Sequence, residues 1–218
     1  ALLLASVTIV YGSTMAVKEH HFKRRLAYST VSNLSYIVLA ASLMTQSGLT
    51  ASLAHMLFHA LIKITLFFCA GAVMVKTGRT QIEDLRGLSK VMPFTCATYT
   101  IGAISLMGTP LLPGFVSKWL IGSAAIETGT AMGMVGVAAL LISAVLTAIY
   151  LMGPAMSMYF RPLEGMEKAK EAAKGLNNAN GFIKHEVNSR IKMRRIPDFH
   201  FIADDSTEYS AGIAKILN

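Results

Sequence analysis

Charge is what this 218-residue sequence has least of. Only 15% of its positions are Asp, Glu, Lys or Arg, against about 25% in an ordinary soluble domain. Carboxylates are the scarcer sign: residues 1–163 hold four of them, Glu19, Glu83, Asp84 and Glu127, beside 11 Lys and Arg. Such sparse charge, in a chain 53% hydrophobic with long apolar runs, excludes disorder of the whole chain and argues against a single soluble domain. The two cysteines, Cys69 and Cys96, both lie inside apolar runs. They read as small hydrophobes more readily than as a disulfide, so they do not decide the compartment. No Met and no basic segment precede the first apolar run. Ala1 is therefore expected to be a cut inside a longer protein, not the start of a secretory signal. Redox-cofactor motifs and His-Glu-x-x-His are also missing, so no cofactor and no metal are expected.

The charge that is present is unevenly spread. Residues 164–218 hold 9 Lys and Arg and 8 Asp and Glu, the density of a soluble protein. Two materials meet near Arg161-Pro162, which predicts two domains, 1–160 and 161–218. For the first, positive loops beside membrane spans explain the pI of 9.6 better than nucleic acid does.

Five apolar stretches organise the first domain: 1–17, 26–45, 52–75, 93–109 and 113–152. The second and third are long enough to cross about 30 Å of hydrocarbon as helices. The fifth, interrupted by Gly122, Gly129 and Gly133, is long enough for a half-helix followed by a full one. Barrel strands run about 10 residues and alternate in polarity, so helices are expected. The fold class is an all-α polytopic membrane segment of about five helices, one of them discontinuous, followed by a small α+β tail. Basic residues Lys18 and Lys23–Arg25 precede the second span, and Lys76, Arg79, Arg86 and Lys90 follow the third. Both groups fall in the cytoplasm by the positive-inside rule. Gln46–Thr50 is expected to be an outer connection. Residue 161 returns to the cytoplasm if Pro113–Glu127 is a half-helix, and lies outside if that segment spans fully.

The third span carries His55, His59 and Lys63, spaced four residues apart. At 100° per residue they share an arc of about 80° on one face. A cation at mid-bilayer costs about 2.5–3.5 kcal/mol on insertion scales, so this stripe must face a protein interior or a hydrated path. Histidine titrates near neutral pH, which suits proton relay. Polar packing and a two-histidine metal site are the competing readings, although the span has no carboxylate to complete a metal site. Lys118 follows Gly108-Thr109-Pro110-Leu111-Leu112-Pro113-Gly114, where a helix should break. Broken helices at membrane depth need a cavity. Lys118 is thus either a channel residue or a headgroup-level loop lysine. Lys23, with Arg24 and Arg25, reads on composition as an ordinary cytoplasmic anchor.

These motifs, taken in order, resemble a known family. Phe22-Lys23-Arg24-Arg25-Leu26-Ala27-Tyr28-Ser29-Thr30-Val31-Ser32 is similar to its KRxLAYSxxS signature, and His55 to Gly71 to its HxxxHAxxKxxLFxxAG. Gly87-Leu88, Met92-Pro93, Gly108-Thr109-Pro110 and Gly114-Phe115-Val116-Ser117-Lys118-Trp119 follow in the expected order. The family is that of the antiporter-like proton-translocating subunits of respiratory complex I, Mrp-type cation/proton antiporters and membrane-bound hydrogenases. The resemblance implies a relay of Lys23, His55, His59, Lys63 and Lys118. It also implies a multi-subunit partner complex and an inner-membrane, multi-pass location with the tail in the cytoplasm. The family's upstream glutamate and first broken-helix lysine would precede Ala1. Ser117 and Trp119 fit the antiporter and hydrogenase branches at least as well as complex I.

The tail resembles a different family. Lys174–Val187, Arg194–Phe201 and Asp204–Tyr209 are similar to the C-terminal half of ribosome-binding factor A, a KH-like fold that binds small-subunit ribosomal RNA. Ala179-Asn180-Gly181 matches that family's interhelical kink. The resemblance implies phosphate contacts from Lys184, Arg190, Lys192, Arg194 and Arg195. A net charge of only +1 over 164–218 makes the tail alone a poor RNA binder. From the residues, 164–176 reads as a polar helix, 177–181 as an interruption, 197–203 as a short strand and 205–217 as a closing helix. Two incomplete patterns meeting near residue 161 suggest a misassembled frame. An engineered chimera or a natural fusion are the alternatives.

Overall fold

The computed structural model describes residues 1–160, 164–190 and 199–201, with the backbone alone at 164–170 and 188–190. The chain divides into two compact units, Ala1–Phe160 and Arg161–Asn218.

Six α-helices build the first unit: α1 (Leu2–Lys18), α2 (Phe22–Ala41), α3 (Gln46–Thr77), α4 (Pro93–Met107), α5 (Pro113–Glu127) and α6 (Ala131–Phe160). By length and apolar composition, α3 and α6 are each sufficient to cross a membrane. At 1.5 Å per residue, the 32 residues of α3 reach well beyond about 30 Å of hydrocarbon. The outer face of α3 presents Leu53, Leu57, Leu61, Ile64 and Phe68 to the surroundings, each more than half exposed. Its inner face carries the polar groups. That inversion suits a helix in lipid.

Two boundaries differ from the sequence reading. Gln46–Thr50 is the first turn of α3, not a connection. Thr45 stands at the N-cap and its hydroxyl accepts the Gly48 amide at 3.0 Å, a capping arrangement that permits the earlier start. Lys23–Arg25 likewise lie in the first turn of α2. In the fifth apolar stretch, Gly122 and Gly133 lie inside helices, and the chain turns at Gly129, whose φ is +61°.

The discontinuous element is α4 followed by α5. Both run antiparallel to α3, one after the other. Cys96 of α4 lies with Cys69 and Val73 of α3, and Gly102 lies against Leu66. Beyond the break, Ser117 of α5 meets His55, and Glu127 meets Ser47. Two half-helices therefore make one crossing. The helix α6 then returns, so that Phe160 ends at the face holding Lys18–Arg25, where Gly87 donates its amide to the Ser157 carbonyl at 3.2 Å. Gly108, at φ +98°, caps α4. Gly114 is where the halves pack tightly: a Cβ there would collide with the Ser105 carbonyl oxygen.

At the basic face, two loops join through an isolated antiparallel bridge, His21 to Gln81. Phe22 donates to the Thr80 carbonyl at 2.9 Å, and Ile82 to that of His20 at 3.0 Å. Arg25 ties three segments together, donating to the carbonyls of Glu19 (2.9 Å), Val17 (3.2 Å) and Tyr150 (3.2 Å). The last of these has a local cause. Pro154 lies inside α6 and has no N–H for the carbonyl four residues back, which is that of Tyr150. The Arg25 guanidinium supplies the missing donor.

In the second unit, α7 (Glu164–Asn178) and α8 (Asn180–Arg190) are separated by a single turn residue, Ala179. The interruption expected over 177–181 is thus much shorter. The Asn177 amide pairs with the Phe201 backbone in both directions, donating to its carbonyl at 2.8 Å and accepting its N–H at 2.9 Å. Asn180 donates to the Phe199 carbonyl at 2.9 Å, and the two phenylalanine rings stack 6.4 Å apart. No strand occurs among the described residues, and of the strand expected over 197–203 only 199–201 are described. The expected closing helix over 205–217, and Lys192, Arg194 and Arg195, lie outside the described residues.

Candidate functional site

The first unit buries several ionisable side chains in an apolar bundle, which is costly unless each finds polar partners. His55 is 1% exposed, and His59, Lys63 and Lys118 are each 5% exposed. Lys63 and Lys118 are thus interior residues, which excludes an interface anchor for the first and a headgroup-level loop for the second.

Lys63 donates from Nζ to the Leu26 carbonyl of α2 at 2.9 Å. It shares that acceptor with the Thr30 hydroxyl at 3.0 Å, and lies 5.9 Å from the Phe67 ring centre. One turn away on α3, the rings of His59 and His55 stack, 5.9 Å between centroids. The His55 ring is edge-on to Tyr36 at 5.4 Å, and His55 Nδ1 lies 2.9 Å from Ser117 Oγ on α5. Ser117 Oγ also lies 3.3 Å from the Gly114 carbonyl. The Nε2 atoms of both His55 and His59 are buried without a hydrogen-bond partner.

At the far end of the row, Lys118 donates to the carbonyls of Leu106 (2.7 Å) and Met107 (3.0 Å). These belong to the last turn of α4, where intrahelical donors have run out and the helix dipole favours a cation. The Tyr36 ring lies 5.9 Å from the same Nζ. Lys63, His59, His55 and Lys118 are therefore buried along one row, with α3 as its spine and the α4–α5 break at its end. Lys23 is half-buried in the first turn of α2, one turn before the carbonyl that receives Lys63.

No group of three or more His, Cys, Asp or Glu that could hold a metal occurs among the described residues. Carboxylates sit outside the row. Glu19 accepts the His21 amide at 2.9 Å, and that bond holds its carboxyl below the ordinary range. Glu83 is lowered likewise by His20, whose Nδ1 lies 2.6 Å away. Glu127 accepts from the Ser47 hydroxyl at 2.7 Å, beside a cleft of about 520 Å³ that Thr45, Gln46, Thr50 and Ser123 also line.

Sequence reasoning missed Tyr36, Ser117 as a partner of His55, and Arg25 as a brace. Of the tail candidates, Lys184 lies on α8, and Arg190 is its last residue.

Such a row, in a bundle with a broken crossing, defines a class of polytopic helical membrane proteins with buried basic residues. Residues 1–147 match the family model described as NADH:quinone oxidoreductase/Mrp antiporter, TM, and the chain belongs to that family. Residues 155–217 match the model for ribosome-binding factor A. NADH-quinone oxidoreductase subunit N of Desulforudis audaxviator is 38% identical over 160 residues, 73% of this chain and 31% of that protein. F(420)H(2) dehydrogenase subunit N of Methanosarcina mazei is 37% identical over 172 residues, 75% of this chain and 34% of that one. Among solved structures, the membrane-bound sulfane sulfur reductase, an archaeal respiratory membrane complex, contains a similar chain. It has a TM-score of 0.68 and 35% identity, covering 74% of this chain and 34% of that one. The Mrp complex of Dietzia sp. DQ12-45-1b gives a TM-score of 0.67 at 31% identity, covering 74% and 30%. The chain spans about a third of the length of the relatives it matches.

Proposed function

We propose that residues 1–160 are the C-terminal portion of a proton-translocating, antiporter-like subunit in a respiratory, hydrogenase or Mrp-type membrane complex. The observation that carries this reading is the buried row from Lys63 through His59 and His55 to Lys118, held by carbonyls and hydroxyls and free of carboxylates. A proton released from Lys63 is taken up at a histidine nitrogen, and the ring gives up a proton from its other nitrogen. Each transfer makes one N–H bond and breaks one, and the last ends on the Lys118 amine. Lys23, a turn from the Leu26 carbonyl, stands at the entry to the row. The other membrane subunits of the complex are the partners, and coupling to redox or cation flow lies elsewhere in it. The shared face of Phe160 and the basic loops supports a cytoplasmic start for the tail.

In the complex that contains this chain, reconstituted into proteoliposomes, Lys63→Ala and Lys118→Ala should each slow proton translocation about a hundredfold. Wild-type rates in both variants would sink the relay.

The match of residues 155–217 to ribosome-binding factor A favours a second reading for the tail, contact with small-subunit ribosomal RNA through Lys184, Arg190, Lys192, Arg194 and Arg195, on an α+β KH-like fold. Binding by the whole chain in nanodiscs that weakens with rising salt is the expected result. No binding at low salt rules this reading out.

A further inference from the structure

The two buried histidines are not held alike. His55 Nδ1 lies 2.9 Å from Ser117 Oγ, and this is the one hydrogen bond that either ring makes among the described residues. Neither Nε2 has a partner. The His55 ring is enclosed by three helices. His59 stacks on it from α3 itself, Tyr36 of α2 stands edge-on, and α5 brings Ser117, with Lys118 next in sequence. His55 is 1% exposed and Ser117 0%, so what Nδ1 needs must come from Ser117.

The kind of partner matters. A backbone carbonyl only accepts and a backbone amide only donates, so either would fix a neutral imidazole in one tautomer. A hydroxyl does both. Ser117 Oγ also has a second neighbour, the Gly114 carbonyl at 3.3 Å, one turn back on α5. With its hydrogen turned to that carbonyl, Oγ accepts from His55 Nδ1–H. With its hydrogen turned to the ring, Oγ donates to the Nδ1 lone pair, and the ring proton sits on Nε2. The two states differ by a rotation about one bond. No heavy atom moves, so the ring keeps its stack on His59 in both. A histidine buried only for packing would be served by a partner of one kind, and would not leave Nε2 unpaired.

We propose that Ser117 is a positioning residue for His55, a hydroxyl rotor that holds Nδ1 whether or not that nitrogen carries the proton. This role rests on the relay reading above. A proton that enters a neutral imidazole at one nitrogen, while another leaves from the opposite nitrogen, forms one N–H bond and breaks one. The ring is left in its other tautomer, and must return before it can pass a second proton the same way. Ser117 meets both tautomers, and the doubly protonated ring between them donates from Nδ1 to Oγ. No bond within Ser117 is made or broken. Neither tautomer then strands a buried polar atom at Nδ1, a cost that would trap the ring in one form.

The first test is solid-state NMR of isotope-labelled imidazole nitrogens in the whole chain in nanodiscs, at about pH 8, above the ordinary histidine range. His55→Gln assigns the His55 signals. Both neutral tautomers of His55 are expected, within about tenfold of each other in population. A single tautomer overturns the rotor. The second test is proton translocation by the complex in proteoliposomes. Ser117→Val and Ser117→Thr share a shape and differ by the hydroxyl. Translocation should be about tenfold slower in Ser117→Val than in Ser117→Thr. Equal rates in the two assembled complexes overturn the role. The NMR measurement needs no substitution at residue 117, so it decides the matter should the bulkier variants fail to assemble. Undiminished rates in Lys63→Ala and Lys118→Ala would instead remove the relay reading, an outcome distinct from both.

Discussion

The buried interior of the first unit and its basic face solve the same problem in opposite ways. At the basic face, basic side chains meet carboxylates: His20 lies 2.6 Å from Glu83, and Arg24 lies 3.3 Å from Glu19. In the interior, lysines meet carbonyls: Lys118 those of Leu106 and Met107, and Lys63 that of Leu26; the half-buried Arg25 does the same at the edge of the basic face, with those of Val17, Glu19 and Tyr150. The difference bears on function. A lysine buried against a carboxylate is locked, because losing its proton strands a bare anion in a medium of low dielectric. A lysine buried against neutral dipoles leaves no such charge when its proton departs. The carbonyls also differ among themselves. Those at Lys118 are freed by a helix end, and the one from Tyr150 by Pro154. The one at Lys63 belongs to an intact helix and is shared with Thr30.

The comparison is broken most severely at Gly114. Adding a methyl there drives a Cβ into the Ser105 carbonyl, which is backbone and cannot swing aside. Gly114→Ala should cost about 3 kcal/mol or more and part the α4 carbonyls from Lys118, lowering both the thermal midpoint and translocation. Gly71→Ala, where nothing lies within 4 Å of the added carbon, is the control and should leave both near wild type.

A smaller effect tests whether Arg25 serves the carbonyl that Pro154 frees. Arg25→Met should cost about 2 kcal/mol, since it leaves buried acceptors unpaired. With Pro154→Ala already in place, residue 154 regains an N–H for Tyr150, and the penalty of Arg25→Met should fall by about 1 kcal/mol. Chemical denaturation of the four proteins reads this coupling. Strict additivity would break the argument.

The smallest effect lies at the basic face. Glu83 has its carboxyl lowered by His20, so its contribution is complete above the ordinary glutamate range of about 4.3 and is lost as pH falls through the lowered folded value. Both partners are exposed, which limits the effect to about 0.5 kcal/mol. The stability difference between wild type and Glu83→Gln should be present at pH 6 and shrink as pH falls below the ordinary glutamate range through the lowered folded value. A constant difference across that range would show that the pair contributes nothing electrostatic.

The part of this design legible in the sequence was whatever depends on spacing within one helix. His55, His59 and Lys63 repeat every four residues, so their common face followed from helix geometry, and two prolines and two glycines before Lys118 announced the break. What required neighbours stayed hidden. Nothing local in Tyr36 or Ser117 separates a partner of the row from an ordinary core residue. The service of Arg25 to a carbonyl 125 residues away depends on how α2 meets α6. The early start of α3 was readable in principle, since Thr45 is a preferred capping residue, but the polar run Thr45-Gln46-Ser47 resembled a loop. In the tail, Phe199 and Phe201 alternate as a strand would, yet their backbone partners are the side-chain amides of Asn180 and Asn177.

Lys118 fastens the joint between two half-helices in a way that would also suit the proposed proton transfer. An ammonium carries three hydrogens, and the carbonyls of Leu106 and Met107 engage two of them. The third is spare. When it departs, the neutral amine still has two N–H groups to hold the end of α4, and it presents a lone pair where the third hydrogen stood. Deprotonation and reprotonation can therefore cycle at this nitrogen without undoing the fastening that joins α4 to α5.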